Sequence, residues 1–149
     1  MKKIFISTTS FAGFSKEPLE LLEKNNLQIG LNTEGRKLAL DEISIILRKY
    51  DAVIAGTELY TKEVLEQLPN LKVISRLGVG MDNIDINVAK QKGIKVYKTQ
   101  TTPALAVAEL VLGFMLDLAR KISYQNNILK SNIWKKEMGN LLHGKTLGI

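Results

Sequence analysis

Short runs of apolar and β-branched residues alternate with stretches of helical periodicity through the first hundred residues of the chain. That alternation is typical of βαβ units and therefore of a parallel sheet. We expect an α/β fold built on a small, doubly wound parallel sheet of five strands. The predicted strands are 4–6, 27–31, 52–55, 71–77 and 94–97, and the predicted helices are 18–24, 38–47, a helix that starts after Thr61, and 84–92.

Helix-capping residues support these boundaries. Thr61 is a predicted N-cap, since its hydroxyl can accept from first-turn amides, and Glu63 complements the helix dipole. Gly93 is the predicted left-handed residue that ends the helix over 84–92. Five strands linked by such helices favour a flavodoxin-like strand order.

The character of the chain changes after residue 99. Residues 100–103 form a polar hinge, and the helix predicted over 104–120 is apolar nearly all round, so it should be buried on several sides. A more polar helix follows over about 123–131, and residues 146–149 resemble the start of a strand. We expect one domain over 1–100 and the beginning of a second over 101–149.

Composition excludes several kinds of chemistry. The chain has no cysteine and one histidine, so disulfides, thiolate metal sites and multi-histidine metal centres are excluded. The net charge is +6, but the lysines are interspersed with acidic residues and no aromatic residues interleave with them. Nucleic-acid binding is therefore disfavoured, and an anionic small molecule is the better expectation.

The sequence shows neither a secretory segment nor a membrane span. Residues 1–8 contain too few apolar residues for a signal peptide. The apolar stretch at 103–119 is interrupted by Glu109 and Asp117 and is shorter than the roughly 20 residues that a bilayer requires. We expect a cytoplasmic protein.

The strongest candidate site is Gly78-Val79-Gly80, which follows a predicted strand at the edge where open α/β sheets bind ligands. Two glycines let backbone amides approach an anion closely, but a tight strand-to-helix turn explains them equally well. The third position of a dinucleotide fingerprint is Asn83, so that match fails. Arg76, two residues earlier, is a candidate carboxylate or phosphate clamp, or an ordinary surface arginine.

The sequence gives weaker evidence of a functional role for the other polar residues. Gly56-Thr57-Glu58 follows the preceding strand and either reaches the same crevice or is a plain loop. Asp82 and Asp85 are more typical of turns and helix caps than of an acid–base pair. For the remaining two residues, we expect Glu109 to be a paired helix–helix contact and His143 to have no catalytic role.

Several motifs together closely resemble the NAD-dependent D-2-hydroxyacid dehydrogenases, particularly their phosphoglycerate dehydrogenase branch. They occur in the same order and spacing along nearly the whole chain. The matching segments are LKVISRLGVGMDNID at 71–85, GIKV at 93–96, VAEL at 107–110, LAR at 118–120 and GKTLGI at 144–149.

The resemblance implies a flavodoxin-like substrate domain followed by the first helices of a Rossmann domain. It implies NAD as cofactor, a small anionic 2-hydroxy or 2-oxo acid as substrate, with a 3-phosphoglycerate-like acid favoured, and a homodimer formed through helix 104–120. It places Val79 and Val107 at the cofactor. The substrate-binding residues that it implies are Gly56, Thr57, Arg76, Leu77, Gly78, Val79 and Gly80.

The same resemblance implies that other parts of such an enzyme lie beyond this sequence. The family's glycine fingerprint follows the GKTLGI strand, and its catalytic arginine, glutamate and histidine come later still. We therefore expect no catalytic residue in this chain, which would be the inactive N-terminal portion of an oxidoreductase. The alternative is a free-standing module that binds a small carboxylate or phosphate.

Overall fold

A computed structural model describes residues 1–148. The chain divides into two compact units, one spanning Met1–Thr102 and the other beginning at Pro103. The interpretation of these parts as a substrate domain over 1–100 and the start of a nucleotide-binding domain over 101–149 stays a prediction.

The first unit contains a five-stranded sheet in the order β2-β1-β3-β4-β5, with every neighbouring pair parallel. This is the flavodoxin-like order, so the predicted fold class is confirmed. Strands of such a sheet read as continuous apolar runs because helices cover both faces. The strands are β1 (Lys3–Ile6), β2 (Gln28–Leu31), β3 (Ala52–Ala55), β4 (Val73–Arg76) and β5 (Lys95–Lys98).

Four helices connect the strands and close one hydrophobic core. The central strands contribute Phe5, Val53 and Ile74, and the helices contribute residues such as Ile43 and Leu65, all of them buried. Each predicted helix of this unit is present. Their bounds are α1 (Glu17–Lys24), α2 (Leu40–Leu47), α3 (Lys62–Glu66) and α4 (Ile86–Gln91).

Capping explains the ends of three helices. Thr61 accepts from the Val64 amide through Oγ1, and Gly93 has a φ of +71°, as predicted. Asp85 caps α4 by accepting from the Val88 amide at 3.0 Å, so this helix starts two residues later than the predicted 84. Likewise α2 starts after Ala39, whose amide donates to the Glu42 carboxylate at 2.8 Å.

The second unit contains α5 (Ala104–Arg120) and α6 (Ile122–Lys130), separated by Lys121 in the left-handed conformation. Asp117 near the end of α5 accepts from both the amide and the hydroxyl of Ser123, at 2.6 and 2.8 Å, and so joins the two helices. Further along, Gly139 lies against the end of α5, where an added Cβ would be 2.7 Å from the Ala119 carbonyl oxygen.

None of the α5 residues is buried in the single chain, because α6 alone cannot surround an apolar helix. The predicted burial of α5 on several sides therefore stays a prediction. The strand predicted at 146–149 is wrong for the residues that the structure describes. Residues 146–148 form no strand, because a strand needs a hydrogen-bonding neighbour and no described residue pairs with them. Ile149, the last residue of that predicted strand, lies outside the described residues. Within residues 1–148, no helix combines the length and apolarity needed to cross a membrane.

Candidate functional site

The carboxyl ends of β1, β3 and β4 surround a pocket of about 210 Å³. It is lined by residues 7–10, 36–37, 56–58 and 76–77, and we refer to it as the switch-point pocket. β1 and β3 are neighbours in the sheet. The chain continues from β1 to β2 toward one edge of the sheet, and from β3 to β4 toward the opposite edge. Open α/β sheets bind ligands where their connections diverge in this way.

A buried carboxylate lies under the β3 side of this pocket. Glu58 is 2% exposed, and its Oε2 accepts from the Gly56 amide at 2.9 Å and from the Ser7 hydroxyl at 2.8 Å. Ser7 Oγ in turn accepts from the same Gly56 amide at 3.2 Å. Burying a carboxylate is costly unless donors compensate it, and here the ends of two adjacent strands supply them.

Tyr60 extends this buried group. Its hydroxyl lies 3.5 Å from Ser7 Oγ, and the side chain is fully buried. Burial raises the pKa of the Tyr60 phenol far above its ordinary value, despite the Ser7 hydroxyl, which lowers it. The phenol therefore stays protonated at neutral pH and adds no negative charge beneath the pocket.

Asn83 ties the loop after β4 to the loop after β3. Its side-chain amide donates to the carbonyl oxygens of Glu58 at 2.6 Å and Gly56 at 3.3 Å. The sequence pattern identified Asn83 only as the residue that breaks a dinucleotide fingerprint. In the structure it positions the backbone that carries Gly56, Thr57 and Glu58.

Arg76 ends β4, with its guanidinium packed against Gly78. An added Cβ at Gly78 would lie 2.5 Å from Arg76 Nη1, and Gly78 has a φ of +147°, which is open chiefly to glycine. Nη1 donates to the Leu77 carbonyl oxygen. The buried Nε has no hydrogen-bond partner among residues 1–148, so the described residues do not satisfy every donor of the guanidinium that lines the pocket.

The Gly78 amide is already engaged. It donates to Thr99 Oγ1 at 3.0 Å and to the Arg76 carbonyl at 2.9 Å, while its own carbonyl accepts from the Thr99 amide. By contrast, no hydrogen bond within residues 1–148 uses the amides of Val79 or Gly80. The backbone amides that remain available in this turn are therefore those of Val79 and Gly80.

The candidate site residues fall into three groups. Gly56, Thr57, Arg76 and Leu77 line the switch-point pocket. Residues 78–80 follow Leu77 in the chain but are not among the lining residues. Val107, predicted at the cofactor, lies on α5 in the second unit and is 53% exposed. The substrate and cofactor roles of all these residues stay predictions.

Sequence reasoning missed two parts of the pocket, the hydroxyl-rich loop at 7–10 and the cationic pair Arg36-Lys37. The run Ser-Thr-Thr-Ser directly after the first strand was a usable signal, because in the 2-1-3-4-5 order that strand flanks the switch point. No comparable signal marked Arg36 and Lys37, which lie in an irregular connection between β2 and α2.

The cations at the pocket are not equivalent. Arg36 forms a two-fold pair with Glu42 at 2.6 and 2.8 Å, which lowers the pKa of Glu42 to about 2 and raises that of Arg36. Among residues 1–148, no carboxylate lies within 4.0 Å of the charged nitrogens of Lys37 or Arg76. Lys37 and Arg76 are therefore the pocket cations that no ion pair engages within this range.

The remaining candidates lie outside the lining of the switch-point pocket. Asp85 is a helix cap, as favoured, and His143 is exposed. Glu109 was expected to be a paired contact, but it is exposed, and its carboxylate makes no hydrogen bond or ion pair within residues 1–148, because α5 itself is uncovered. In the same range, no three His, Cys, Asp or Glu side chains cluster as a metal site would require.

The chain matches a known protein family over most of its length. The family model described as D-isomer specific 2-hydroxyacid dehydrogenase, catalytic domain, matches residues 6–144. The chain is 40% identical to a hydroxypyruvate reductase of Thermotoga maritima, over 86% of this chain and 44% of that protein. It is 36% identical to a D-3-phosphoglycerate dehydrogenase of Archaeoglobus fulgidus, over 91% of this chain and 26% of that protein.

Solved structures agree with this comparison. A 3-phosphoglycerate dehydrogenase of Entamoeba histolytica with bound NAD⁺ superposes with a TM-score of 0.70 at 28% identity, over 95% of this chain and 43% of that one. The chain thus spans less than half the length of each of these relatives.

Proposed function

Since this chain belongs to the D-isomer specific 2-hydroxyacid dehydrogenase family, we propose that its first unit binds a small 2-hydroxy or 2-oxo acid in the switch-point pocket. The observation that carries the proposal is the placement of Arg76 at that pocket, with a buried Nε that no described residue satisfies. A guanidinium with free donors suits a carboxylate ligand. Lys37, the hydroxyls of 8–10 and the Thr57 loop add further polar contacts.

In this proposal the chain is part of an NAD-dependent oxidoreductase that acts on the CH–OH group of a D-2-hydroxy acid in the cytoplasm. When bound, NAD supplies the hydride acceptor. The described residues do not fit its pyrophosphate, which requires a glycine-rich turn leading directly into a helix. Here Asn83 takes the place of the third glycine, and α4 begins only at Ile86. The described residues therefore do not form a complete NAD site, and we expect the chain alone to be inactive.

The proposed contribution of this chain is binding and orientation. Arg76 holds the acid at the carboxyl edge of the sheet, and the free amides of Val79 and Gly80 border the same edge. We keep the predicted cofactor-binding roles of Val79 and Val107 as part of the proposal, with Val79 bordering the nicotinamide. The family resemblance favours a 3-phosphoglycerate-like acid, and the charges at the pocket bear on that choice.

We also propose that α5 pairs with a second copy of the chain. The support is its apolar surface, on which Leu105 and Leu118 are 76% and 79% exposed. Monomeric proteins seldom expose a contiguous apolar surface of this kind, whereas interfaces commonly bury one.

The second candidate function is a binding module that acts without catalysis. The observation that favours it is that every residue lining the switch-point pocket belongs to the first unit. Ligand binding by the 149-residue chain is common to both proposals. Turnover separates them only in a longer protein that also holds a nucleotide.

The test is a titration of the ¹⁵N-labelled 149-residue chain with D-glycerate, followed by NMR. We expect saturable shifts at the amides of Thr57, Val79 and Gly80. Arg76→Gln should weaken binding about tenfold or more, as hydrogen bonds between charged groups are worth about 1.5–3 kcal/mol. The control is Arg48→Gln, an arginine that bonds Gln67 and lies outside the pocket.

Two outcomes would contradict the proposal. The first is unchanged affinity in folded Arg76→Gln, and the second is a set of shifts that maps away from the carboxyl edge of the sheet. Consumption of NADH by the 149-residue chain with hydroxypyruvate, read at 340 nm, would contradict the expectation that it is inactive alone.

A further inference from the structure

Glu58 is a negative charge built into a pocket that otherwise suits anions. It lines the switch-point pocket and is 2% exposed, and none of the other pocket-lining residues is acidic. A buried carboxylate next to an anion-binding surface opposes the binding of negative charge. Attraction of anions therefore does not explain why the pocket contains Glu58.

The position of this carboxylate is fixed. Two donors from different strands hold Oε2, the Gly56 amide at 2.9 Å and the Ser7 hydroxyl at 2.8 Å. The Asn83 side chain fixes the Glu58 backbone through a 2.6 Å hydrogen bond to its carbonyl. Gly56 has no side chain to interpose, and a Cβ there would lie 3.1 and 3.2 Å from the two carboxylate oxygens. The carboxylate consequently cannot move away from an arriving ligand without breaking these bonds.

The charges at the pocket nearly balance. Arg36 is neutralised by Glu42, which leaves Lys37 and Arg76 against Glu58, a net charge of one positive unit. A 2-hydroxy acid with one carboxylate matches that balance. A phosphorylated acid adds a phosphate of about −1.5 to −2 charge at neutral pH, which this chain leaves uncompensated.

We propose that Glu58 is a specificity-determining residue whose fixed charge favours a 2-hydroxy acid with one anionic group over its phosphorylated counterpart. The inference rests on the proposed function, because it assigns a substrate class to the same pocket. It departs from the 3-phosphoglycerate-like substrate that the sequence favours. In this proposal Glu58 selects ligands by their charge, in addition to forming hydrogen bonds with Gly56 and Ser7.

The test compares D-glycerate with 3-phospho-D-glycerate, which differ only by the phosphate, using NMR titration of the 149-residue chain. We expect the unmodified chain to bind D-glycerate at least as tightly as the phosphorylated acid. In Glu58→Gln the affinity for 3-phosphoglycerate relative to D-glycerate should rise by about fourfold or more. A fourfold change corresponds to the repulsion between two unit negative charges about 5 Å apart at the dielectric constant of water.

Two further variants separate charge from structure. Glu58→Asp keeps the charge and should retain the preference for D-glycerate. Glu63→Gln removes the same charge from α3 outside the pocket and should leave the ratio of affinities unchanged. A loss of structure at Glu58 would weaken both ligands together, whereas the proposal requires the ratio to change.

Each result has a defined meaning. If the unmodified chain binds 3-phosphoglycerate tenfold more tightly than D-glycerate, the inference is overturned while the proposed function stands. An unchanged ratio in folded Glu58→Gln has the same consequence. If Glu58→Gln does not fold, the comparison on the unmodified chain decides. Binding of neither acid overturns the proposed function and, with it, this inference.

Discussion

The two units of this chain differ in how far their apolar residues are buried. Among residues 1–148, all the apolar residues that are buried lie between Phe5 and Ile94, in the first unit. In the second unit α5 is also rich in apolar residues, yet none of them is buried. A parallel sheet offers two faces on which amphipathic helices bury one side each, whereas α5 is apolar nearly all round and has only α6 and a short tail within its unit. The difference shows that hydrophobicity predicts burial only where the fold supplies a partner.

The largest expected effect comes from truncating matched leucines in the two units. Leu65 is fully buried on α3, whereas Leu118 on α5 is 79% exposed. Leu65→Ala should lower the free energy of unfolding of the first unit by about 2–5 kcal/mol, because it removes buried methyl groups and leaves a cavity. Leu118→Ala should change the same quantity by no more than about 0.5 kcal/mol. Urea unfolding monitored by circular dichroism measures both.

The same two variants also test whether the two units are separate in stability. If Leu118→Ala destabilised the first unit as much as Leu65→Ala, the apolar surface of α5 would be part of the same cooperative core. The exposed Leu21 on α1, which is 62% exposed, is a control within the first unit, and Leu21→Ala should be nearly neutral.

The fold of the first unit was largely predictable from sequence because its signals are local. Continuous apolar runs identified the five strands, and Thr61 and Gly93 identified helix ends through capping that needs no distant partner. Periodicity is less informative where the outcome depends on a partner that the local sequence does not identify. Both the burial of α5 and a strand at 146–149 require such a partner.

The site was only partly predictable for the same reason. Arg76 and the Gly56-Thr57 loop were found because they end apolar runs at the carboxyl edge of a predicted sheet. Lys37 reaches the pocket from an irregular loop, and the Ser7–Glu58 contact joins residues 51 positions apart. The engagement of the Gly78 amide by Thr99 likewise depends on two strand ends becoming neighbours, which no local pattern encodes.

The next prediction concerns the uncovered surface of α5. Leu110 and Phe114 lie one helical turn apart and are 56% and 58% exposed. If a second copy covers this surface, light scattering should give about twice the chain mass of 16.6 kDa, and Leu110→Ser with Phe114→Ser should restore the single-chain mass. The first unit should unfold at an unchanged urea midpoint, since its core contains neither residue.

The matched control for this surface is Leu21→Ser in the first unit, which should leave the mass unchanged. A clean monomer of the unmodified chain at tens of micromolar would remove the support for a homodimer. The contrast between the two units would then hold in solution for the isolated chain.

The smallest expected effect distinguishes the units by pH. Hydrogen bonding to Arg36, with the Ala39 amide second, lowers the pKa of the partly exposed Glu42 to about 2. In the second unit, hydrogen bonding to Lys135 and then Lys121 also lowers the pKa of Glu137. A carboxylate whose pKa is depressed on folding stabilises the native state above its unfolded pKa of about 4.3, and that stabilisation is lost as the pH falls through the folded pKa.

Melting temperatures of the first unit measured between pH 7 and pH 2 should therefore be lower for Glu42→Gln than for the unmodified chain above about pH 5. The two curves should converge as the pH approaches 2, where Glu42 is itself protonated. Glu137→Gln should leave this melting curve unchanged, because Glu137 belongs to the other unit. Molar salt should shrink the Glu42 difference, since exposed ion pairs are screened. Parallel curves down to pH 2 would show that the Arg36–Glu42 pair does not contribute to the stability of the first unit.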